Sequence, residues 1–83
     1  MKYLVLTMRK AQFDPAVIPA HYAFLQELRE GGVLEQAGPF TDKSGGAYVI
    51  RASSFEEALG VAHRDPVHVQ DCSEVTVREW DSK

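Results

Sequence analysis

The 83-residue sequence has few of the residues that characterise several classes of protein. It contains one cysteine, Cys72, so an intrachain disulfide is impossible and a secreted disulfide scaffold is excluded. Its nine lysines and arginines are scattered, without the basic stripe that binds nucleic acid. No segment has the basic polar face of an amphipathic membrane helix, and the apolar residues 1–8 are too few for a signal peptide. We therefore expect a cytoplasmic protein that binds neither nucleic acid nor membrane.

The remaining composition is typical of a globular domain, with 45% hydrophobic residues, 25% charged residues and a net charge of -3. No linker, repeat or low-complexity run divides the chain, so we predict a single domain over residues 1–83. A chain of this length buries only roughly 60% of its unfolded surface, which makes a thin core. Such chains often gain stability from a partner subunit.

Apolar runs and turn residues predict six elements in the order β-α-β-β-α-β. Pro19 suits the first turn of a helix, and Gly31-Gly32 ends it. Residues 41–46, with Gly45-Gly46, have the composition of a hairpin turn. Ser53 and Ser54 precede Glu56 and Glu57 with the spacing of a capping box, which starts a second helix that Pro66 ends. The predicted strands are residues 2–8, 33–40, 47–52 and 74–80, and the predicted helices are residues 19–30 and 55 to 63–65. This order is the split βαβ arrangement. We predict an α+β, ferredoxin-like fold with a four-stranded antiparallel sheet and two helices on one face.

The first and third strands are apolar on both of their faces. A strand that is buried on one face only should alternate between apolar and polar side chains. In the first strand Leu4 and Leu6 alternate with Tyr3 and Val5, so both faces are apolar. An apolar open face needs a cover, and a second copy of the same sheet is the simplest one. We therefore predict a homodimer formed through sheet faces.

Chain direction predicts that five segments converge on one end of the sheet and could form a pocket there: residues 7–9, the first turn of the first helix, residues 38–40, the hairpin after them, and residues 65–71. His21 shares a helical stripe with Leu25 and Leu28, so its ring should point inward toward the sheet. Asp65 is predicted to close the second helix at the same end. A carboxylate beside a histidine orients its ring, as in general acid/base pairs. Each residue also has an ordinary explanation, a satisfied core histidine and a helix terminator before proline, and this alternative stays open.

Short motifs in a fixed order resemble the YciI-like (YCII-related) family. They are Pro19-Ala20-His21, Leu25, Gly38-Pro39, Ser54 with Glu56-Glu57-Ala58, and Asp65-Pro66. The resemblance covers nearly the whole chain, and the order and spacing of the motifs carry it. It implies a ferredoxin-like domain that pairs into a dimeric α/β barrel, with His21 and Asp65 at the proposed active centre. One such relative is a dehydrochlorinase of chlorinated-aromatic breakdown, so the resemblance implies an acid/base enzyme without naming its substrate.

Other candidate sites are weaker. His63, Asp65 and His68 lie close in sequence, but no histidine or cysteine spacing resembles a zinc site, so we predict no metal and no cofactor. Arg9 follows the first strand and could receive an anionic substrate, although a solvated loop charge explains it as well and is favoured. Cys72 has no activating neighbour in the sequence and is predicted to be a buried, inert thiol.

These observations favour a small, cofactor-independent enzyme. His21 would be the general acid/base and Asp65 would orient it, and the residues predicted to bind substrate at the pocket are Thr7, Gly38, Pro39 and Phe40. Elimination or proton transfer next to a carbonyl group of a small organic substrate needs one base and no metal. The alternatives are a non-catalytic dimeric module that binds a small molecule or acts as an accessory, and a purely structural partner.

Overall fold

Four strands and three helices follow one another along residues 1–83, all of which the computed structural model describes. The strands are β1 (Lys2–Arg9), β2 (Leu34–Pro39), β3 (Gly45–Arg51) and β4 (Ser73–Glu79). The helices are α1 (Ile18–Glu30), α2 (Phe55–Ala62) and the short α3 (Pro66–Val69), and a single 3₁₀ turn (Pro15–Val17) precedes α1. None of these helices combines the length and the apolar character needed to cross a membrane.

All strand pairs are antiparallel and the sheet order is β2-β3-β1-β4, with β1 and β3 in the centre. This is the ferredoxin-like α+β arrangement, so the predicted fold class is confirmed. Val5 lies opposite Tyr48 on β3 and Val77 on β4, which fixes the register of the two central pairings. Because residues opposite each other share a face, the side chains of Val5, Tyr48 and Val77 point to the same side of the sheet.

The face of the sheet beneath the helices holds the main core. Tyr3 and Val5 of β1 are buried here against the stripe of α1 formed by Phe24, Leu25 and Leu28. A second, smaller cluster joins Val17, Val67 and Cys72 beneath the 3₁₀ turn and α3. Cys72 is buried and free, as predicted.

The opposite face of the sheet has no helix over it. Leu4 and Leu6 are half-buried on this face, and Val49, which pairs with Leu4, is buried. Trp80 is 43% exposed and lies beside Leu4 and Val49 along a shallow groove. The open face is therefore apolar at its centre.

Three sequence predictions about local structure were wrong. The loop predicted for residues 9–18 contains the 3₁₀ turn, because the Asp14 side chain accepts a hydrogen bond from the Ala16 N–H and starts it. Gly45 and Gly46, assigned to the hairpin turn, are the first residues of β3. Asp65 does not close the second helix: α2 ends at Ala62, and Asp65 is the N-cap of α3.

Candidate active site

His21 lies in the first turn of α1, one turn before Leu25 on the buried stripe of that helix. Its side chain is 18% exposed, and its Nδ1 atom is 2.8 Å from Oδ1 of Asp65. The ring also packs between two tyrosines, with its centroid 5.5 Å from that of Tyr22 and 6.3 Å from that of Tyr48. Helix phase thus directs the ring inward, and the aromatic neighbours on both sides limit its rotation.

Asp65 is fully buried and its carboxylate accepts hydrogen bonds from three different elements. Oδ1 accepts from His21 Nδ1 and, at 3.1 Å, from the Val67 N–H at the start of α3. Oδ2 accepts from the Tyr48 hydroxyl at 3.0 Å. A buried carboxylate is tolerated only where such donors replace water.

Tyr48 was not identified as a site residue from the sequence. It lies on β3, is 2% exposed, and its side chain points to the helix-covered face, where its hydroxyl reaches Asp65. Burial, followed by the negative charge of Asp65, raises the pKa of Tyr48 well above 10, so its hydroxyl stays protonated and stays a donor. The register between β3 and β1 determines which face of the sheet Tyr48 occupies. The sequence pattern could not decide this, because the third strand is apolar on both of its faces.

The hydrogen-bond pattern determines which ring nitrogen of His21 is available. An ionised carboxylate can only accept hydrogen bonds, so Nδ1 of His21 carries the hydrogen in the contact with Asp65. The other nitrogen, Nε2, then has a lone pair, and no protein group bonds to it. A histidine held in this tautomer can take a proton from a molecule at Nε2 and return it.

His21 lines a cavity of about 60 Å³ between the first turn of α1 and the edge of the sheet. At roughly 10–15 Å³ of such volume for each water molecule, the cavity has room for about four to six waters, or for one small chemical group. Its walls combine apolar side chains and glycines with several polar side chains, none of them acidic: Thr7, Arg9, Phe13, Ile18, His21, Tyr22, Leu25, Gly38, Pro39, Gly45, Gly46, Ala47, Tyr48, Val67 and Ser73.

Three of the four residues predicted to bind substrate line this cavity, namely Thr7, Gly38 and Pro39. The Thr7 hydroxyl donates to the Gly46 carbonyl at 3.3 Å, so it already has a partner within the sheet. Phe40 does not line the cavity. Phe40 follows the end of β2, in the turn that leads to β3, and is 37% exposed.

Gly45 and Gly46 allow β1, β2 and β3 to approach closely at the floor of the cavity. A Cβ atom on Gly45 would lie 2.0 Å from the Thr7 carbonyl oxygen, and one on Gly46 would lie 2.8 Å from the Gly38 carbonyl oxygen. Both distances are shorter than any atomic contact allows, so side chains are excluded at these positions. The sequence indicated a turn here, whereas the structure has glycine at these positions because the backbones of neighbouring strands come too close for a side chain.

Arg9 was interpreted from the sequence as a solvated loop charge; its side chain is exposed, in agreement with this, but the residue ends β1 and also lines the cavity. Its guanidinium carbon lies 4.2 Å from the centroid of the Phe13 ring. The Arg9 N–H donates to the Ser44 carbonyl at 2.9 Å, which attaches this strand end to the hairpin.

The histidines near Asp65 in sequence lie apart from the His21 site. His63 and His68 are exposed, and their rings stack with centroids 4.1 Å apart and an interplanar angle of 10°. The Asp65 carboxylate is hydrogen-bonded to His21 and to neither of these rings. No group of three or more histidine, cysteine, aspartate or glutamate side chains is placed to hold a metal ion.

Comparison with known proteins identifies the family of the chain. Residues 1–81 match the family model described as the YCII-related domain. The uncharacterized protein YjpA of Bacillus subtilis (strain 168) is 46% identical over 81 residues, which span 98% of this chain and 95% of YjpA. The chain therefore belongs to the YCII-related domain family, as its motifs indicated.

Solved structures with the same fold include two enzymes. One is the 5-chloro-2-hydroxyhydroquinone dehydrochlorinase TftG from Burkholderia phenoliruptrix AC1100 in complex with 2,5-dihydroxybenzoquinone. It superposes with a TM-score of 0.79 at 18% identity, over 100% of this chain and 96% of TftG. The other is a muconolactone isomerase, with a TM-score of 0.69 at 16% identity, over 100% of this chain and 91% of that one. At these identities the similarity concerns the fold.

Proposed function

We propose that this member of the YCII-related family is a small acid/base enzyme in which His21 transfers a proton and Asp65 positions it. The observation that carries the proposal is the 2.8 Å contact between Nδ1 of His21 and a fully buried carboxylate, at a cavity that His21 lines. A half-buried histidine held in one tautomer is the expected form of a general base.

The proposed reaction is elimination from, or proton transfer within, a small organic molecule. Nε2 of His21 takes a proton from a carbon next to a carbonyl group, and Asp65 stabilises the positive ring that results. The proton then returns to another atom of the molecule, or a leaving group departs as an anion. The names of the two structural neighbours, a dehydrochlorinase and an isomerase, describe reactions of these two types and support the proposal.

We also propose that the protein works as a homodimer in the cytoplasm, with the open face of the sheet as the interface. Leu4, Leu6 and Trp80 together give this face an apolar surface that no element of the chain covers. Exposed patches of this kind are typical of protein interfaces.

Proton exchange with solvent tests the proposed activity without knowledge of the natural substrate. Small oxo acids and hydroxyquinones are incubated with the protein in D₂O, and loss of the C–H signal is followed by NMR. We expect catalysed exchange for at least one compound, and a rate loss of ~10²–10⁴-fold in His21→Ala. His63→Ala is the matched control, because His63 is exposed and lies outside the cavity.

Two outcomes would contradict the enzymatic proposal. One is exchange that His21→Ala does not slow, since the base would then be another group. The other is that compounds carrying a C–H next to a carbonyl group bind in the cavity and none of them exchanges that proton, which would favour the binding-module alternative.

A further inference from the structure

Arg9 is a cation at the cavity without an anionic partner. It takes part in none of the five ion pairs of the chain. The adjacent Lys10 is different, because its ammonium group pairs with Asp71. The Arg9 guanidinium contacts the Phe13 ring. Because an aromatic ring has no net charge, this contact leaves the positive charge of Arg9 without a counter-ion.

No acidic side chain lines the cavity to balance Arg9. Asp65 lies behind His21, is fully buried, and has its oxygens occupied by three donors. The chain as a whole has a net charge of -3, whereas the charged side chain that lines the cavity, Arg9, is positive. A cavity that contains one unpaired cation and no acidic side chain favours a small anion.

The geometry of Arg9 suits a planar anion. A guanidinium that stacks on an aromatic face keeps its N–H groups at the edge of its plane, where they remain available. These donors form a fork that matches the two oxygens of a carboxylate. The backbone bond from Arg9 to Ser44 anchors the residue at the end of β1.

We propose that Arg9 is the anion-binding residue of the cavity and that the molecule reaching His21 is a small carboxylate. The part of the proposal that concerns His21 rests on the proposed function, whereas anion binding by Arg9 does not. The cavity of about 60 Å³ encloses a carboxylate with a few attached carbon atoms, and any larger part of the molecule lies at the mouth.

Titration of the ¹⁵N-labelled protein with matched pairs of probes tests this inference. The probes are benzoate and crotonate, each compared with its primary amide, and the readout is the NMR shift of the Arg9 side chain and of cavity backbone amides. We expect the carboxylates to bind in the cavity and the amides to bind much more weakly. Arg9→Gln should weaken carboxylate binding at least about tenfold, because a charge-assisted fork is lost. Arg29→Gln, an exposed change in the last turn of α1, should have no effect.

Arg9→Lys keeps the charge but loses the fork, so we expect it to bind carboxylates with intermediate affinity. Equal binding of acid and amide by the unmodified protein would overturn the inference, as would unchanged binding in Arg9→Gln or no shift in the cavity with either carboxylate. Circular dichroism of each variant verifies folding, and the comparison of acid with amide in the unmodified protein decides even if Arg9→Gln is unfolded.

The two proposals can fail independently. Carboxylate binding that depends on Arg9, in a protein that exchanges no proton of any compound, would refute the proposed function and leave the anion site intact. Proton exchange that depends on His21 but is as fast in Arg9→Gln and on uncharged compounds would refute the anion site alone.

Discussion

Replacing Tyr48 with phenylalanine removes one oxygen atom and leaves the aromatic ring in the core. The Tyr48 hydroxyl donates to Oδ2 of Asp65 at 3.0 Å, and this is the one protein donor to that oxygen. Asp65 is 0% exposed, so water cannot replace the lost donor without a rearrangement of the site. The variant therefore isolates the effect of one hydrogen bond on a buried carboxylate.

The expected loss is in the free energy of unfolding. A hydrogen bond to a charged group contributes about 1.5–3 kcal/mol, and the ring packing is retained, so we expect Tyr48→Phe to lower stability by about that amount. For a domain of this size, each kcal/mol corresponds to roughly 4–8 °C in melting temperature. The expected decrease in melting temperature is therefore roughly 6–24 °C.

Urea unfolding followed by far-ultraviolet circular dichroism measures this change, with linear extrapolation to water. Tyr22→Phe is the matched control, because Tyr22 is 51% exposed and its loss of a hydroxyl should change stability little. A double-mutant cycle with Asp65→Asn gives the coupling energy between Tyr48 and Asp65. A loss below about 0.5 kcal/mol in Tyr48→Phe, or additive effects in the cycle, would show that the carboxylate does not depend on Tyr48.

Further predictions follow from the same geometry. Stability should fall as the pH rises above 10.0, the pKa of an unfolded tyrosine, because burial raises the pKa of Tyr48 and unfolding then releases its proton. Urea unfolding between about pH 9 and 11 checks this, and Tyr48→Phe should flatten the decline. Gly45→Ala should destabilise the protein by about 2 kcal/mol or more through a clash with the backbone of β1, whereas Gly60→Ala in α2 has open space and should stabilise it by about 0.5–1 kcal/mol. Leu6→Lys on the open face should shift the proposed dimer to monomer in sedimentation equilibrium, and Ala23→Lys on the exposed side of α1 should not; equal behaviour of the two would contradict the interface.

The sequence predicted the elements that local patterns determine. The stripe shared by His21, Leu25 and Leu28 fixed the direction of the histidine ring, because helix phase depends only on spacing along the chain. The spacing of Ser54 and Glu57 predicted the start of α2, where the Ser54 hydroxyl accepts from the Glu57 N–H. The order of strands and helices then determined the fold class.

The parts of the site that depend on pairing between distant strands could not be predicted. Tyr48 reaches Asp65 because β3 pairs with β1 in one particular register, and an apolar strand pattern leaves that register open. Phe40 was misplaced for a related reason, since the pairing with β3 ends β2 at Pro39 and leaves Phe40 in the turn. Arg9 is exposed as predicted, but its place at the cavity was not foreseen, because no spacing along the chain shows that a cavity forms beside the end of β1.

The burial of Asp65 is itself an argument for a role beyond helix capping. Capping a helix contributes about 0.5–2 kcal/mol, and an exposed aspartate before Pro66 would cap α3 equally well through the Val67 N–H. Burying a carboxylate costs several kcal/mol after relaxation, so capping alone does not offset it. The two further bonds, from His21 and Tyr48, are needed to satisfy the group, yet neither would be needed if the carboxylate lay in water. His21, which Asp65 orients, lines the cavity. The burial of Asp65 is therefore explained if the carboxylate holds the His21 ring in position for proton transfer.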